Sequence, residues 1–257
     1  MALHRGRGVA RGLLDLLLPP QCLTCDGPVA EPGRLCAACF HRVDLIGDPL
    51  CARCGLPFEF RTEPGQICAA CLRDPPAFDH ARAVARYDTP VREAILGFKH
   101  GDRTERAIGF ARLMLRAGRP WLDRADMVAA VPLHPSRLRR RRFNQAGLLA
   151  QELAVLTDRP AIPDLLCRVR PTRSQGGLSG PARRRNVRGA FAITARHRHL
   201  VQGAHVVLTD DVYTTGATID ACARVLKRAG AAEVTVLAIA RVVRVGETPY
   251  SHMSEMP

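Results

Sequence analysis

The sequence contains no long hydrophobic run, and this absence argues against a membrane-spanning helix. No apolar stretch approaches the ~18 residues that such a helix needs. Near the amino terminus, LLDLLL runs from Leu13 to Leu18, but Asp15 interrupts it and Pro19-Pro20 closes it. A signal peptide has a longer apolar region, so we interpret this stretch as a short amphipathic helix. We expect a cytoplasmic protein without a membrane span.

Two common nucleotide-binding motifs are also missing. No G-x-x-x-x-G-K-[ST] segment occurs, which argues against a P-loop ATPase. Gly6-Arg7-Gly8 begins the chain with no strand before it, so it is not a dinucleotide-binding fingerprint.

Acidic residues are scarce relative to basic ones. The 257 residues include 38 Lys and Arg but only 24 Asp and Glu, which gives a net charge of +14. This excess favours an anionic partner such as nucleic acid, a membrane surface or a phosphorylated small molecule, although an arginine-rich genome would also raise the charge. The hydrophobic content of 47% allows a packed core, and the length suits one large α/β domain or two modest ones.

Cysteine, in contrast, is concentrated in one segment. Eight of the ten cysteines form four C-x-x-C pairs. In a reducing compartment such pairs indicate metal binding rather than disulfides, and a tetrahedral zinc site needs two of them. We therefore predict two structural zinc sites with the ligands Cys22, Cys25, Cys36, Cys39, Cys51, Cys54, Cys68 and Cys71.

The grouping of these cysteines is a separate question. Sequential grouping, which we favour, gives two stacked ribbons, and a cross-braced arrangement of the first pair with the third remains open. Gly27, Gly55 and Gly65 lie near the pairs and suit tight turns. The segment has few aliphatic residues, so the metals would supply its folding energy.

Beyond Asp74-Pro75-Pro76 the pattern changes to alternating strands and helices. We predict helices at 90–99, 104–117, 144–156 and 217–229, and strands at 81–87, 127–133, 164–169, 189–194, 204–209 and 233–243. This order predicts an α/β fold with a mainly parallel sheet and helices on both faces, and ligands of such sheets bind at the carboxyl ends of strands. We divide the chain into a zinc-ribbon module at 13–76, an α/β domain at 77–245 and a tail at 246–257.

The segment VVLTDDVYTTGAT, residues 206–218, sets two carboxylates at the end of a buried strand. Asp210 and Asp211 are followed by a Thr- and Gly-rich turn into a helix, and the backbone N–H groups at a helix start bind anions. Gly216 allows a close backbone approach. Ribose hydroxyls and Mg²⁺ are groups that can face carboxylates beside a phosphate. The pattern therefore predicts a site for a ribose 5-phosphate.

This segment resembles the phosphoribosyl-pyrophosphate (PRPP) loop of type I phosphoribosyltransferases. Four C-x-x-C pairs, then VPLHPSRLRRRRFNQ at 131–145, TRSQGGLSGPARRRNVRGAF at 172–191 and the PRPP loop, in this order, resemble the ComF competence-protein family over roughly residues 13–243. The resemblance implies a double zinc ribbon joined to a phosphoribosyltransferase domain of the type I kind. It also implies a role in natural transformation, on the cytoplasmic side of single-stranded DNA uptake.

The resemblance also implies roles for individual residues. Asp210 and Asp211, the expected catalytic pair, would hold the ribose 2′- and 3′-hydroxyls of PRPP bound with Mg²⁺. The 5-phosphate would be held by Thr214, Thr215, Gly216, Ala217 and Thr218. Candidates for binding the pyrophosphate are His134, Ser136 and Arg137. Candidates for a mobile loop over the diphosphate are Arg173, Gln175, Arg183, Arg184 and Asn186.

The arginine run at 137–142, interrupted only by Leu138, admits two interpretations. It can follow a nucleic-acid backbone, with Phe143 stacking on a base, or it can line the diphosphate end of the site. The nucleic-acid candidates are Arg139, Arg140, Arg141 and Arg142.

Two functions are compatible with these motifs. The first is Mg²⁺-dependent transfer of ribose 5-phosphate from PRPP to an acceptor that the sequence does not identify, a pentosyltransferase reaction. The second is a non-catalytic adaptor that senses PRPP or a nucleotide and binds single-stranded DNA or another competence protein.

Overall fold

A computed structural model describes residues 19–100, 103–172 and 180–243. Its centre is a five-stranded sheet in the order β1-β7-β6-β2-β3, in which every neighbouring pair is parallel. These strands are β1 (His80–Arg86), β2 (Met127–Ala130), β3 (Ala161–Ile162), β6 (His205–Tyr213) and β7 (Glu233–Arg241). A separate antiparallel pair is formed by β4 (Leu166–Arg168) and β5 (Phe191–Ile193). The predicted α/β class with a mainly parallel sheet is confirmed.

Helices connect these strands. Within the described residues they are α1 (Ala37–Arg42), α2 (Ala69–Arg73), α3 (Val91–His100), α4 (Arg106–Leu122), α5 (Pro135–Arg141), α6 (Gln145–Thr157), α7 (Gly180–Val187) and α8 (Ala217–Arg228), with a 3-10 helix at Ala195–Leu200. No described helix has both the length and the apolar character needed to cross a membrane.

The sheet separates two hydrophobic cores. Alternate residues of β6 point to opposite faces, so Val206 and Leu208 join one core while Val207 joins the other. The first core also contains apolar residues of α8, and the second contains apolar residues of α3, α4 and α6. Helices therefore cover both faces, as the alternating pattern predicts.

Some elements differ from the sequence prediction. β6 continues four residues beyond Thr209 because its pairing with β7 continues to Tyr213, so the acid pair lies within the strand rather than after it. The segments that hold arginine runs, α5 and α7, are helical, although their sequences lack an apolar periodicity. In α5, Pro135 occupies the first turn and the His134 side chain accepts a hydrogen bond from the Ser136 N–H, and both features favour a helix start.

The cysteine-rich segment contains the same fold twice. In the first copy an isolated bridge joins Gln21 and Pro28, and in the second an equivalent bridge joins Leu50 and Pro57. The backbone enters the left-handed region at Asp26 in one copy and at Gly55 in the other. In ribbon 1 Gly27 directly follows this left-handed residue, and in ribbon 2 Gly55 takes the left-handed conformation itself. We call these copies ribbon 1 (residues 20–43) and ribbon 2 (residues 49–73).

The two ribbons pack on different faces of the sheet. Leu23 of ribbon 1 belongs to the core with α3 and α4, and Gly33 approaches Gly109 so closely that a Cβ on Gly33 would lie 2.5 Å from the Gly109 Cα. Leu56 and the cysteines of ribbon 2 belong to the core with α8. The expectation of ribbons stacked on one another is therefore wrong, because each is buried against the α/β domain instead.

Candidate functional site

The cysteines form two clusters of four thiols. Cys22, Cys25, Cys36 and Cys39 form one cluster and Cys51, Cys54, Cys68 and Cys71 the other, with all Sγ atoms of a cluster within 4.8 Å of each other. The Cys25–Cys36 and Cys54–Cys68 pairs have Sγ···Sγ distances of 3.7 Å. Four thiolates at zinc-bond length on a tetrahedral ion lie about 3.8 Å apart, so both clusters fit zinc. The sequential grouping is confirmed, and cross-bracing is not what the chain adopts.

Backbone N–H groups point at the sulfur atoms in the same way in both ribbons. The Cys36 N–H donates to the Cys22 Sγ at 3.3 Å, and the Cys68 N–H donates to the Cys51 Sγ at 3.3 Å. In ribbon 2, hydrogen bonds from the Cys54, Cys68 and Cys71 thiols lower the pKa of Cys51. Such donors favour the thiolate form that zinc requires.

The predicted acid pair lies half-buried near the carboxyl end of β6. The Asp211 N–H donates to the Asp210 carboxylate at 2.9 Å, which holds that side chain against the backbone. Burial, and then the neighbouring Asp211 carboxylate, raises the pKa of Asp210 to about 7. The positive charges of Lys99 and Arg141 partly offset this rise.

A lysine that the sequence prediction missed completes the acid pair. The Lys99 Nζ, at the end of α3, lies 2.9 Å from the Asp211 Oδ2. Buried Gln145 donates to the Lys99 carbonyl at 3.4 Å and accepts a hydrogen bond from the Arg141 Nη1 at 3.3 Å. One amide thus fixes two cationic residues next to the acids. No local motif marks Lys99, because it comes from a distant segment of the chain.

Thr209, directly before the acids, has a structural role. Its hydroxyl is fully buried and lies within hydrogen-bond distance of the Ala129 carbonyl of β2 at 3.1 Å and the Ala146 carbonyl of α6 at 2.8 Å. The hydroxyl therefore ties the strand that carries the acids to its neighbouring strand and helix.

The Thr- and Gly-rich segment forms the start of α8, as predicted. Gly216 is the N-cap, with a φ of 74°, and a Cβ there would lie 2.7 Å from the Tyr213 hydroxyl oxygen. The Thr215 hydroxyl is buried and has no hydrogen-bond partner in the described structure. A buried donor without a partner next to a helix N-terminus fits an anion such as phosphate. Ala217 and Thr218 follow in the first turn of the helix.

Ribbon 2 is bonded to the strand that supports this turn. The Arg241 Nη1, at the end of β7, donates to the Cys54 carbonyl at 2.6 Å, and its guanidinium lies 4.3 Å from the centre of the Tyr213 ring. Tyr213 in turn limits the space at Gly216. A continuous chain of contacts therefore joins the second thiol cluster to the turn at residues 214–216, which we call the phosphate turn after its predicted ligand.

A cavity of about 630 Å³ opens beside the turn. Its walls include residues 214–217 of the turn, Cys68 and Cys71 of ribbon 2, and Phe78. Arginines from four segments also line it, namely Arg73, Arg184, Arg224 and Arg241. Neither Asp210 nor Asp211 is among the residues that line this cavity.

The predicted pyrophosphate residues lie at the start of α5. The His134 Nδ1 lies 2.8 Å from the Ser136 hydroxyl, and both take part in the helix cap. Arg137 is half-buried. The pKa of Arg168 is lowered mainly by the burial of Arg168 itself and then by the positive charge of Arg137.

The arginine run divides into residues with different surroundings. Arg139 and Arg142 are exposed, whereas Arg141 is half-buried and bonded to Gln145. The Phe143 ring packs against the core, 6.3 Å from the Phe98 ring centre. The half-buried ring of Phe143 therefore packs on the core just before the start of α6. The side chain of Arg140 lies outside the described part of the structure.

The predicted mobile-loop residues fall in two places. Arg173 and Gln175 lie outside the described residues. Arg183, Arg184 and Asn186 belong to α7, where Arg184 is exposed toward the cavity and the other two are half-buried.

Comparison with known proteins defines the class of protein first. The family model of the double zinc ribbon domain matches residues 13–72, and that of the phosphoribosyl transferase domain matches residues 143–256. The chain thus combines the two parts that its thiol clusters and parallel sheet indicate. Among solved structures, orotate phosphoribosyltransferase from Aeropyrum pernix is 21% identical with a TM-score of 0.34, covering 62% of this chain and 68% of that one.

The family follows from relatives that match nearly the whole chain. The DNA utilization protein YhgH of Escherichia coli is 35% identical over 234 residues, which cover 89% of this chain and all of that protein. Competence protein F of Haemophilus influenzae is 31% identical over 228 residues, which cover 86% of this chain and 96% of that protein. The protein belongs to the ComF competence-protein family.

Proposed function

We propose that this protein binds PRPP together with Mg²⁺ at the end of β6 and acts in the cytoplasm on single-stranded DNA taken up during natural transformation. The names of its relatives support the process, since they are called a DNA utilization protein and a competence protein. The phosphoribosyltransferase domain supports the ligand.

One observation carries the proposal for the ligand. The half-buried pair Asp210–Asp211 and the unpartnered hydroxyl of Thr215 lie on the same strand–turn–helix segment, the acids in β6 and the hydroxyl in the turn before α8. Carboxylates accept hydrogen bonds from sugar hydroxyls, and a helix start with a free hydroxyl donates to a phosphate. A ribose that carries a 5-phosphate presents both kinds of group.

Each residue of this segment has a defined task in binding. Asp210 and Asp211 accept hydrogen bonds from the ribose hydroxyls and provide oxygen ligands of the kind that Mg²⁺ prefers. Thr214, Thr215 and Thr218 donate to the phosphate, and Gly216 keeps the backbone close to it. Bound Mg²⁺ would neutralise charge on the diphosphate oxygens.

Lys99 and Arg141 supply positive charge beside the acid pair. Both act on the acid pair, through the Lys99–Asp211 ion pair and the charge of Arg141 near Asp210. A fixed positive charge at this place stabilises negative charge that develops on a leaving diphosphate. His134, Ser136 and Arg137 are proposed to bind the same diphosphate at the start of α5.

Two forms of this function differ in whether a bond is broken. A pentosyltransferase would release pyrophosphate when an acceptor attacks the anomeric carbon. An adaptor would bind PRPP or a nucleotide without turnover and pass the signal to single-stranded DNA or another competence protein. No pocket in the described structure identifies an acceptor.

Pyrophosphate release from PRPP and Mg²⁺ separates the two forms. It should be measured with and without single-stranded DNA, with Asp211→Asn as the matched variant. DNA-dependent release that the variant lacks supports the enzyme. Stoichiometric PRPP binding without release under either condition supports the adaptor. Absence of PRPP binding by the folded protein would refute both.

A further inference from the structure

A second cavity runs along two helices and continues from the cavity of about 630 Å³ beside the phosphate turn, which we call the phosphate-turn cavity. It measures about 450 Å³ and shares Arg184, Ala217, Asp220 and Arg224 with the first cavity. We call it the α7–α8 groove. One side carries Arg184, Arg185 and Arg188, and the other side, formed by α8, carries Arg224 and Arg228.

The groove is strongly basic. All five of its arginines are exposed, and Asp220 is the one acidic residue among its lining residues. Asp220 is already engaged, because its Oδ2 lies 2.9 Å from the Arg224 Nη2 and its Oδ1 accepts a hydrogen bond from the Ala77 N–H at 2.7 Å. Four further guanidinium groups line the groove beside the Asp220–Arg224 pair, which is more than a single phosphate requires. They match a polyanion.

The dimensions favour one strand of nucleic acid. α7 and α8 pack against each other, so the groove lies between two neighbouring helices, and a single flexible strand can follow it. The twelve residues of α8 span about 18 Å at about 1.5 Å per residue, so several consecutive phosphates can lie along it.

The chemistry of the turn sets the direction of the strand, and this step rests on the proposed function. The acid pair holds the sugar hydroxyls, and the turn holds the 5-phosphate of the same sugar. The cavity is lined by residues of the turn and not by the acid pair, so a chain that enters it continues from the 5-phosphate. The sugar at the acid pair then has a free 3′-hydroxyl.

We propose that the α7–α8 groove binds single-stranded DNA with the 3′-terminal nucleotide of the strand at the acid pair. The phosphodiester on the 5′ side of that nucleotide lies at the phosphate turn. PRPP and the 3′ end of a strand would then compete for one turn. The strand would follow α7 and α8 rather than the arginine run at 137–142.

The test uses fluorescence anisotropy with the full chain and a short oligothymidylate labelled at its 5′ end. A 3′-phosphate should weaken binding about tenfold relative to a 3′-hydroxyl, because it removes the donor and places negative charge beside the carboxylates. PRPP with Mg²⁺ should displace the strand that ends in a hydroxyl. Equal affinity for the two oligonucleotides overturns the assignment of the 3′ end.

Two double variants test whether the strand binds in the groove. Each phosphate contact contributes about −0.7 to the log–log salt slope for a single strand, so Arg188→Ala with Arg228→Ala should flatten the slope by about 1.4. Arg116→Ala with Arg119→Ala removes the same charge from exposed positions on α4 and should leave the slope unchanged. An unchanged slope in the groove variant overturns the proposal, as does equal competition by a duplex.

A PRPP titration by calorimetry distinguishes a failure of the groove proposal from a failure of the proposed function. The groove variant should bind PRPP as the wild type does, because neither arginine lines the phosphate-turn cavity. If the wild type binds no PRPP but the 3′-hydroxyl preference and the slope change are present, the proposed function fails and the groove stands. If the wild type binds PRPP but the salt slope of the groove variant does not change, the groove proposal is refuted and the proposed function is not.

Discussion

The Nζ atom of Lys99 and the Oδ2 atom of Asp211 lie 2.9 Å apart, and each side chain is only 16% exposed. The lysine comes from the end of α3 and the aspartate from β6, so a contact distant in sequence neutralises one of two adjacent carboxylates. The first prediction follows from this pair.

Replacement of Lys99 by methionine should lower the free energy of unfolding by about 1–3 kcal/mol, because it leaves a poorly solvated carboxylate without its partner. Urea denaturation measures the change, and the double variant with Asp211→Asn should lose less than the sum of the single variants. Lys227→Met is the control. Lys227 pairs with Asp79 at 2.7 Å, but the side chains are 28% and 36% exposed, so its loss should cost less. Equal costs at the two sites would contradict this account.

Asp210→Asn should stabilise the protein increasingly as the pH rises. In the folded protein, burial and the neighbouring Asp211 carboxylate raise the pKa of Asp210 from its ordinary value to about 7. The folded state therefore holds its proton more tightly, and the stability linked to that proton is present at low pH and lost as the pH rises through about 7. The difference in unfolding free energy between variant and wild type should grow between pH 4 and pH 7 and then level off. A difference that is constant with pH would contradict the raised pKa.

Gly216→Ala should weaken PRPP binding about tenfold or more, because the added Cβ would lie 2.7 Å from the Tyr213 hydroxyl and displace the turn. Gly203→Ala provides a matched control. Its φ of 72° is almost the same as the 74° of Gly216, but a Cβ there meets nothing within 4 Å. Both variants should lose about 1–2 kcal/mol of stability to the left-handed backbone, and only the first should lose affinity in calorimetry. A comparable loss of affinity in both would show that backbone strain, not the turn, is responsible.

The purified protein should contain two zinc ions per chain, and Cys36→Ser or Cys68→Ser should each reduce this to one, because each removes one of four ligands from a different cluster. Elemental analysis measures the metal content.

Cys68→Ser should also weaken PRPP binding, because ribbon 2 reaches the phosphate turn through Arg241 and Tyr213, whereas Cys36→Ser should weaken it less. Loss of both ions from either single variant would contradict independent sites.

The sequence was sufficient to predict features that depend on local spacing. Paired cysteines bind one ion from a tight turn, so the two thiol clusters were expected. Two acids followed by a Thr- and Gly-rich turn are typical of a strand that leads into a helix beside an anion site, so the start of α8 was expected as well. The order of strands and helices likewise predicts a parallel sheet.

Features that depend on contacts between distant segments were not predictable in the same way. Lys99 and Gln145 join the acid pair only because α3 and α6 pack on one face of the sheet. The helices α5 and α7 were missed because arginine side chains hide any apolar periodicity. The continuation of β6 beyond Thr209 depends on its pairing with β7, which a single strand does not reveal.

Calorimetric titration of PRPP in the presence of Mg²⁺ tests the central claim most directly. The wild type should bind one PRPP per chain, and Asp210→Ala and Asp211→Ala should each weaken binding by about 1–3 kcal/mol, the cost of leaving polar groups unpaired. Asp123→Ala, at an exposed acid beyond α4, should bind PRPP as the wild type does. No heat of binding from folded, zinc-loaded wild type, or unchanged affinity in both variants of the acid pair, would contradict the assignment of this site.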